Sequence, residues 1–255
     1  MNISRYSLLA LLACLFVLVP ACSDDDEGSP TNVPPTTYAD PQLQAMTHEG
    51  TLVVQGLIDM FPTWMAGQMG KKDATDPTWD PNSQCWRWTD TESEYTDPLY
   101  TWSRTWNFAL TYYQGETPQM EFEGADSIGM ILGYHFGESD YRNETNSFNT
   151  NFYFTLALTG VPNGPDSIMV GGSGEGEFNG YFTVGEEYTQ IYENLAVMMN
   201  LTMPVLGGCP VGSLEFDTES TSFSMGFDGE STAYWDYVTG PGQSVQGTIT
   251  LTCGK

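Results

Sequence analysis

The sequence predicts a mainly β domain: a curled antiparallel up-and-down barrel or half-barrel of about ten strands, with one N-terminal amphipathic helix packed on it. Three observations predict it. From Gln84 onward apolar and polar residues alternate with a period of two. Turn residues interrupt that alternation at short intervals. Ahead of it, one stretch repeats with the helical period instead.

The helix comes first. Asp40 is an N-cap, and Pro41 suits the first helical position, where its missing N–H has no intrahelical partner to lose. Leu43, Met46, Val53, Val54, Leu57, Ile58 and Phe61 share one stripe, and Pro62 stops the run, so the helix spans 41–61. Gly50 and Gly56 weaken it a little. An apolar stripe has to lie on something. Residues 63–83 are rich in Gly, Asp, Pro and Trp and read as a long surface loop.

The strands follow. Tyr100, Trp102, Arg104, Trp106, Phe108, Leu110 and Tyr112 hold one parity, while Thr101, Ser103, Thr105, Asn107, Ala109 and Thr111 hold the other. Alternation that strict means one buried and one wet face. It recurs at Ile128–Phe136, Phe148–Leu158, Phe223–Phe227 and Val245–Leu251. Gly115, Gly124, Gly164, Gly229 and Gly240 mark turns. The run 188–203 fits a strand in its second half and a helix or strand in its first. The glycines of 171–176 read as a flexible hairpin or bulge. A long sheet with one greasy face must curl or fold into a sandwich, and the helix covers part of the concave side. The architecture is similar to lipocalin-type barrels and to the half-barrels that carry lipoproteins across the periplasm, with no motif of either.

The N-terminus reads as an export signal. Arg5 precedes an apolar run, Leu8 to Val19, too short to span a bilayer as a stable helix. Val19, Pro20, Ala21 and Cys22 follow, and this stretch resembles the bacterial lipobox. The resemblance implies cleavage before Cys22, acylation of its sulfur and attachment to a membrane through the lipid. Residues 1–21 are then a signal peptide, 22–39 an acidic, Pro/Thr-rich tether with nothing to bury, and 40–255 one β-rich domain. Ser23 after the cysteine resembles the outer-membrane sorting choice of enteric bacteria. The run Asp24 to Glu27 resembles the export signal of surface lipoproteins of the Bacteroidota. Location is therefore expected at the bacterial outer membrane, on its periplasmic or its surface side.

Charge narrows the partners. Seven Lys and Arg stand against 33 Asp and Glu, a formal charge of −26. Such a chain repels nucleic acid and anionic headgroups, so nucleic-acid binding is excluded and membrane attachment must come through lipid. Export also leaves Cys85, Cys209 and Cys253 in an oxidising compartment, where two are expected to pair. Three pairings exist. Cys209 with Cys253, bracketing the C-terminal meander, is the preferred one, leaving Cys85 free and buried.

Motifs for chemistry are sparse. Two histidines, His48 and His135, are too few for a His-rich zinc site, and no G-x-S-x-G elbow presents a serine. Glu121 and Glu123 share a parity and read as a solvated strand face. Asp73, Asp76, Asp80 and Asn82, and Asp140, Asn143, Glu144 and Asn146, are oxygen-rich loops of the kind calcium uses; no other cofactor is expected. Aromatic residues are more suggestive. Trp86 and Trp88 share a face, as do Trp102 and Trp106. They are core, or they line a site for an apolar molecule or a glycan. Arg104 stands among them as a lone cation on an apolar face. It must pair with an acid, stack on a tryptophan, reach a rim or meet an anionic ligand.

The reading that follows is an outer-membrane-anchored lipoprotein with a non-enzymatic binding or structural role. The ligand, if any, is held near Trp86, Trp88, Trp102, Arg104 and Trp106. The alternative is a secreted carbohydrate-active hydrolase, which needs two carboxyl groups about 5–9.5 Å apart in a cleft.

Overall fold

A computed structural model describes residues 41–65, 77–143, 145–240 and 243–253. Helix α1 (Pro41–Met65) precedes twelve strands: β1 (Thr78–Asp80), β2 (Cys85–Asp97), β3 (Tyr100–Gln114), β4 (Thr117–Gln119), β5 (Ser127–Asp140), β6 (Asn146–Pro162), β7 (Ser167–Val184), β8 (Glu187–Pro204), β9 (Val211–Asp217), β10 (Ser222–Asp228), β11 (Thr232–Val238) and β12 (Ser244–Thr250). They form one antiparallel up-and-down sheet in chain order, with β4 pairing beside the end of β3. Strands β1 and β12 do not pair, so the sheet is a curled half-barrel and not a closed barrel.

The alternation in the sequence is the alternation of faces. Trp106, Phe108, Leu110, Met130, Leu132, Tyr134, Phe152, Phe154, Leu156, Leu195, Val197 and Met199 point inward and are buried. The ambiguous run at 188–203 is strand throughout. Hairpins are short where glycine supplies positive φ. Gly185 at φ 65° turns β7 into β8, with Val184 paired to Glu187. Met120 to Glu123 lies outside any strand, in bends after β4.

The glycine tract is not a turn. It runs through the middle of β7, paired on both sides. Gly172, Gly174 and Gly176 fall on the inward parity. A Cβ built on them would stand 2.0, 1.7 and 2.1 Å from the carbonyl oxygens of Ala157, Thr155 and Tyr153 on β6. Only hydrogen fits there, and the emptied seam lets the sheet bend. Its effect is measurable across the fold. Strands β6 and β9 are three steps apart, about 14 Å in a flat sheet. Yet the Phe216 ring on β9 lies 5.5 Å from that of Phe152 and 5.6 Å from that of Phe154, both on β6, between centroids.

Helix α1 fills the concavity. Met46, Val53, Val54 and Leu57 are fully buried. The two helical glycines face the bulkiest neighbours: a Cβ at Gly50 would lie 3.1 Å from the Phe216 ring, and one at Gly56 3.2 Å from the Trp106 ring. Small residues let the axis approach the sheet, which outweighs their poor helix propensity. The helix continues past Pro62 to Met65, beyond the end at 61 that the sequence suggests. A proline there deletes one N–H bond, to the carbonyl of Ile58, in the final turn of the helix. Among the described residues no helix is long and apolar enough to cross a membrane.

Candidate functional site

Arg104 finds its partner on the helix. It sits on the inner face of β3 and is 1% exposed, and Glu49 of α1 is fully buried opposite it. Arg104 Nε donates to Glu49 Oε2 at 3.0 Å and Nη2 to Oε1 at 3.1 Å, a two-pronged contact that matches guanidinium to carboxylate. Nε also donates to the Tyr134 hydroxyl at 2.7 Å, and that hydroxyl donates to Glu49 Oε2. Glu92 Oε2 on β2 is 3.5 Å from Arg104 Nη1. The guanidinium carbon lies 5.4 Å from the centroid of Trp102 and 5.3 Å from that of Phe136, within cation–π range.

Electrostatics follow the geometry. Burial pushes the Glu49 carboxyl up, but the hydrogen bond and charge of His48 and the charge of Arg104 win and hold it down to about 2. Burial raises Glu92 and Glu138, and it raises the Tyr134 phenol well above its usual value. Three carboxylates of this end have protein partners: Glu49 and Glu92 face Arg104, and Glu138 accepts from the Tyr100 hydroxyl at 3.0 Å. The cluster ties α1 to β2, β3 and β5. Arg104, its one guanidinium, is shared between Glu49 and Glu92.

The tryptophans divide. Trp86 and Trp106 are buried. The Trp86 indole donates to the Met120 carbonyl at 2.9 Å, and the Trp106 ring meets Tyr134 edge-on at 4.6 Å. Trp88, partly buried, packs on Phe108 at 5.6 Å. Trp102 is half-buried and donates to Glu94 at 3.2 Å. Trp102, Arg104 and Trp106 form one inner row of β3, whereas Trp86 and Trp88 pair with Leu110 and Phe108 farther along it. Cys209 and Cys253 are joined as a disulfide with their Cα atoms 5.1 Å apart, and Cys85 is free and buried. Cys22 lies outside the described residues.

No protein-family model matches the chain, and neither a curated protein nor a solved structure does.

Of the oxygen-rich loops, Asp73, Asp76 and Glu144 lie outside the described residues. Asp80 accepts from Asn82 N–H, Ser83 and Arg87, and Asp140 accepts from Arg142 side-chain and backbone N–H groups. No group of three His, Cys, Asp or Glu side chains placed to hold a metal occurs among the described residues.

The outer face holds what the sequence reading passed over. A cleft of about 170 Å³ opens over β3, β5 and β6. Thr101, Ser103, Ser139, Asn149 and Asn151 line it with Trp102, Glu138 and Thr150, Tyr95 stands at its side, and Gly137 contributes no side chain to it; of the tryptophans marked in the sequence, Trp102 is the one that reaches this cleft. Asn149 Nδ2 donates to Ser139 Oγ at 2.8 Å, and Asn151 Nδ2 donates to Asn179 Oδ1 at 3.3 Å. The signal lay on the wet parity of β6 to β8, where Tyr153, Tyr181, Tyr188 and Tyr192 and the amides of Asn149, Asn151, Asn179 and Gln190 recur among Thr, Ser and Glu.

Proposed function

We propose that this chain is a bacterial outer-membrane lipoprotein, anchored by acyl chains on Cys22, whose domain has a non-enzymatic binding or structural role. The observation that carries the non-enzymatic part is the buried Arg104–Glu49–Tyr134 cluster. Arg104 is paired in the core instead of being presented to a ligand, and the helix occupies the concavity where a barrel would hold a small apolar molecule. Binding then belongs to the outer surface. The anchor rests on the apolar run ending at Val19 and on the residues around Cys22, with the acidic stretch behind it as spacer. At about 0.8 kcal/mol per buried methylene, two or more acyl chains hold a protein durably where a single one does not.

The test is metabolic labelling with radioactive palmitate, followed by density separation of the membranes. Label is expected on the protein in the outer-membrane fraction, and Cys22→Ser should abolish it. An unlabelled wild-type protein, or label that survives Cys22→Ser, refutes the anchor.

A further inference from the structure

The convex face of β6, β7 and β8 carries aromatic rings where a water-facing strand surface ordinarily carries small polar or charged groups. Tyr153, Tyr181, Tyr188 and Tyr192 are 37, 43, 63 and 59% exposed. Strand register places them on one grid: Tyr181 lies between Asn149 and Gln190, and Asn179 lies between Asn151 and Tyr192. The rings are held in place. Glu177 accepts from the hydroxyls of Tyr153 and Tyr192, and the bond pushes the Tyr153 phenol up to about 12. Gln190 Nε2 donates to the Tyr181 hydroxyl at 3.4 Å, and the Tyr181 and Tyr188 rings stand 6.1 Å apart. Rings fixed in advance lose little freedom when something docks on them.

The cleft over Gly137 adjoins this grid and shares its asparagines. A Cβ at Gly137 would sit 3.1 Å from Asn151 Oδ1, so the glycine keeps the floor open. At about 170 Å³ the cleft is smaller than the ~300–1,000 Å³ pockets of drug-sized ligands and suits one ring-sized group.

The chemistry selects the occupant. No Lys or Arg occurs from Asn146 to Pro204, and the chain carries a formal charge of −26, so an anionic ligand finds repulsion and no counter-charge. An apolar ligand would strip water from four amides without replacing their hydrogen bonds. A neutral sugar meets every feature. Its polarised C–H groups lie on the negative faces of tyrosine rings, and amides, each with donor and acceptor, answer neighbouring hydroxyls. We propose that the outer face of β6–β8, with the cleft over Gly137, binds a neutral glycan chain. Pyranose rings stack on Tyr153, Tyr181 and Tyr192, and one ring seats among Ser103, Asn149 and Asn151. This rests on the reading of the protein as a binding lipoprotein and names its ligand class.

The experiment applies full-length protein, solubilised in a detergent without a sugar headgroup, to an array of neutral and uronic-acid glycans. Binding to neutral glycans is expected. The combined variant Tyr153→Ala/Tyr181→Ala/Tyr192→Ala should lose at least tenfold in affinity with an unchanged melting temperature. Asn151→Ala should lose severalfold, and Met198→Ala, exposed farther along β8, should lose nothing. No neutral glycan bound, a preference for the acidic ones, or binding indifferent to the three rings overturns the proposal. So does a concentration-dependent dimer in light scattering that the triple variant abolishes, because the face would then belong to a second copy. Palmitate labelling of the same preparation separates failure of the glycan from failure of the lipoprotein reading.

Discussion

Gly174→Ala adds one methyl group to the inner face of β7. On the existing backbone that carbon would lie 1.7 Å from the Thr155 oxygen, 2.7 Å from its carbonyl carbon and 2.9 Å from Leu156 Cα. Every obstacle is backbone, so no side chain can swing aside. Restoring ordinary contact, near 3.4 Å, requires β6 and β7 to part locally by about 1.5 Å. N–H···O bonds do not survive such stretching. Two ladder bonds at ~1 kcal/mol each, with ~1–3 kcal/mol for disturbed packing, give a loss of about 3–5 kcal/mol. Gly171, three residues earlier in the same tract, is the control. Its Cβ would find nothing closer than Met199 O at 3.7 Å, and alanine there should stabilise by ~0.5–1 kcal/mol through the chain entropy that glycine carries. Urea unfolding followed by tryptophan fluorescence decides the matter. With a slope of about 2–3 kcal/mol per molar, the Gly174→Ala midpoint should fall by roughly 1–2 M, and that of Gly171→Ala should hold or rise. Equal midpoints for the two variants would refute the claim that close approach to β6, not glycine content, shapes the sheet.

Three further outcomes are expected. Glu49→Gln should cost ~3–5 kcal/mol by leaving the Arg104 charge buried with its main partner gone, and Glu49→Leu/Arg104→Met should cost less than either change alone; a thermodynamic cycle showing simple additivity would contradict the pairing. The Glu49 carboxyl stays ionised in the folded protein down to about 2 but takes up its proton near 4.5 when unfolded, so its stabilisation is complete above pH 4.5 and vanishes as pH falls toward 2. The stability advantage of wild type over Glu49→Leu/Arg104→Met should thus shrink by ~3 kcal/mol across that interval in acid titration, and a constant advantage would count against it. Cys209→Ser/Cys253→Ser should lower stability by ~2–4 kcal/mol in denaturant, since the bond closes a loop over 44 positions; an unchanged midpoint would make the bridge dispensable.

The sheet was legible because period-two alternation is a local property, and each buried run names its own inner face. Helix α1 and its place on the concave side were legible from the apolar stripe, but the burial of its polar residues was not. Glu49, Gln42 and Gln55 look like the wet side of an amphipathic helix, and only the partners brought by distant parts of the chain, Arg104, Glu193 and Thr252, make them interior groups. The tract at Gly171–Gly176 was misread for a related reason. Glycine in a sequence suggests a break, and the carbonyl row that forbids any side chain there belongs to another strand. Arg104 was marked as needing an answer, with an acid among the possibilities, but which acid is a fact of tertiary structure. The outer tyrosines escaped because one exposed aromatic is unremarkable. They form a surface only when register lays three strands side by side.

The side-chain amide of Gln55 grips the backbone of Thr252 at both ends: Thr252 N–H donates to Oε1 at 2.9 Å, and Nε2 donates to the Thr252 carbonyl at 2.7 Å. The two residues are 197 positions apart, and Gln42 likewise meets Tyr237 across 195. The first of the described elements thus waits for the C-terminal segment before Gln55 finds both of its backbone partners. Loop closure over such spans makes assembly slow. A nascent chain would remain pliable while most of its length was still being made and would set into its final shape late.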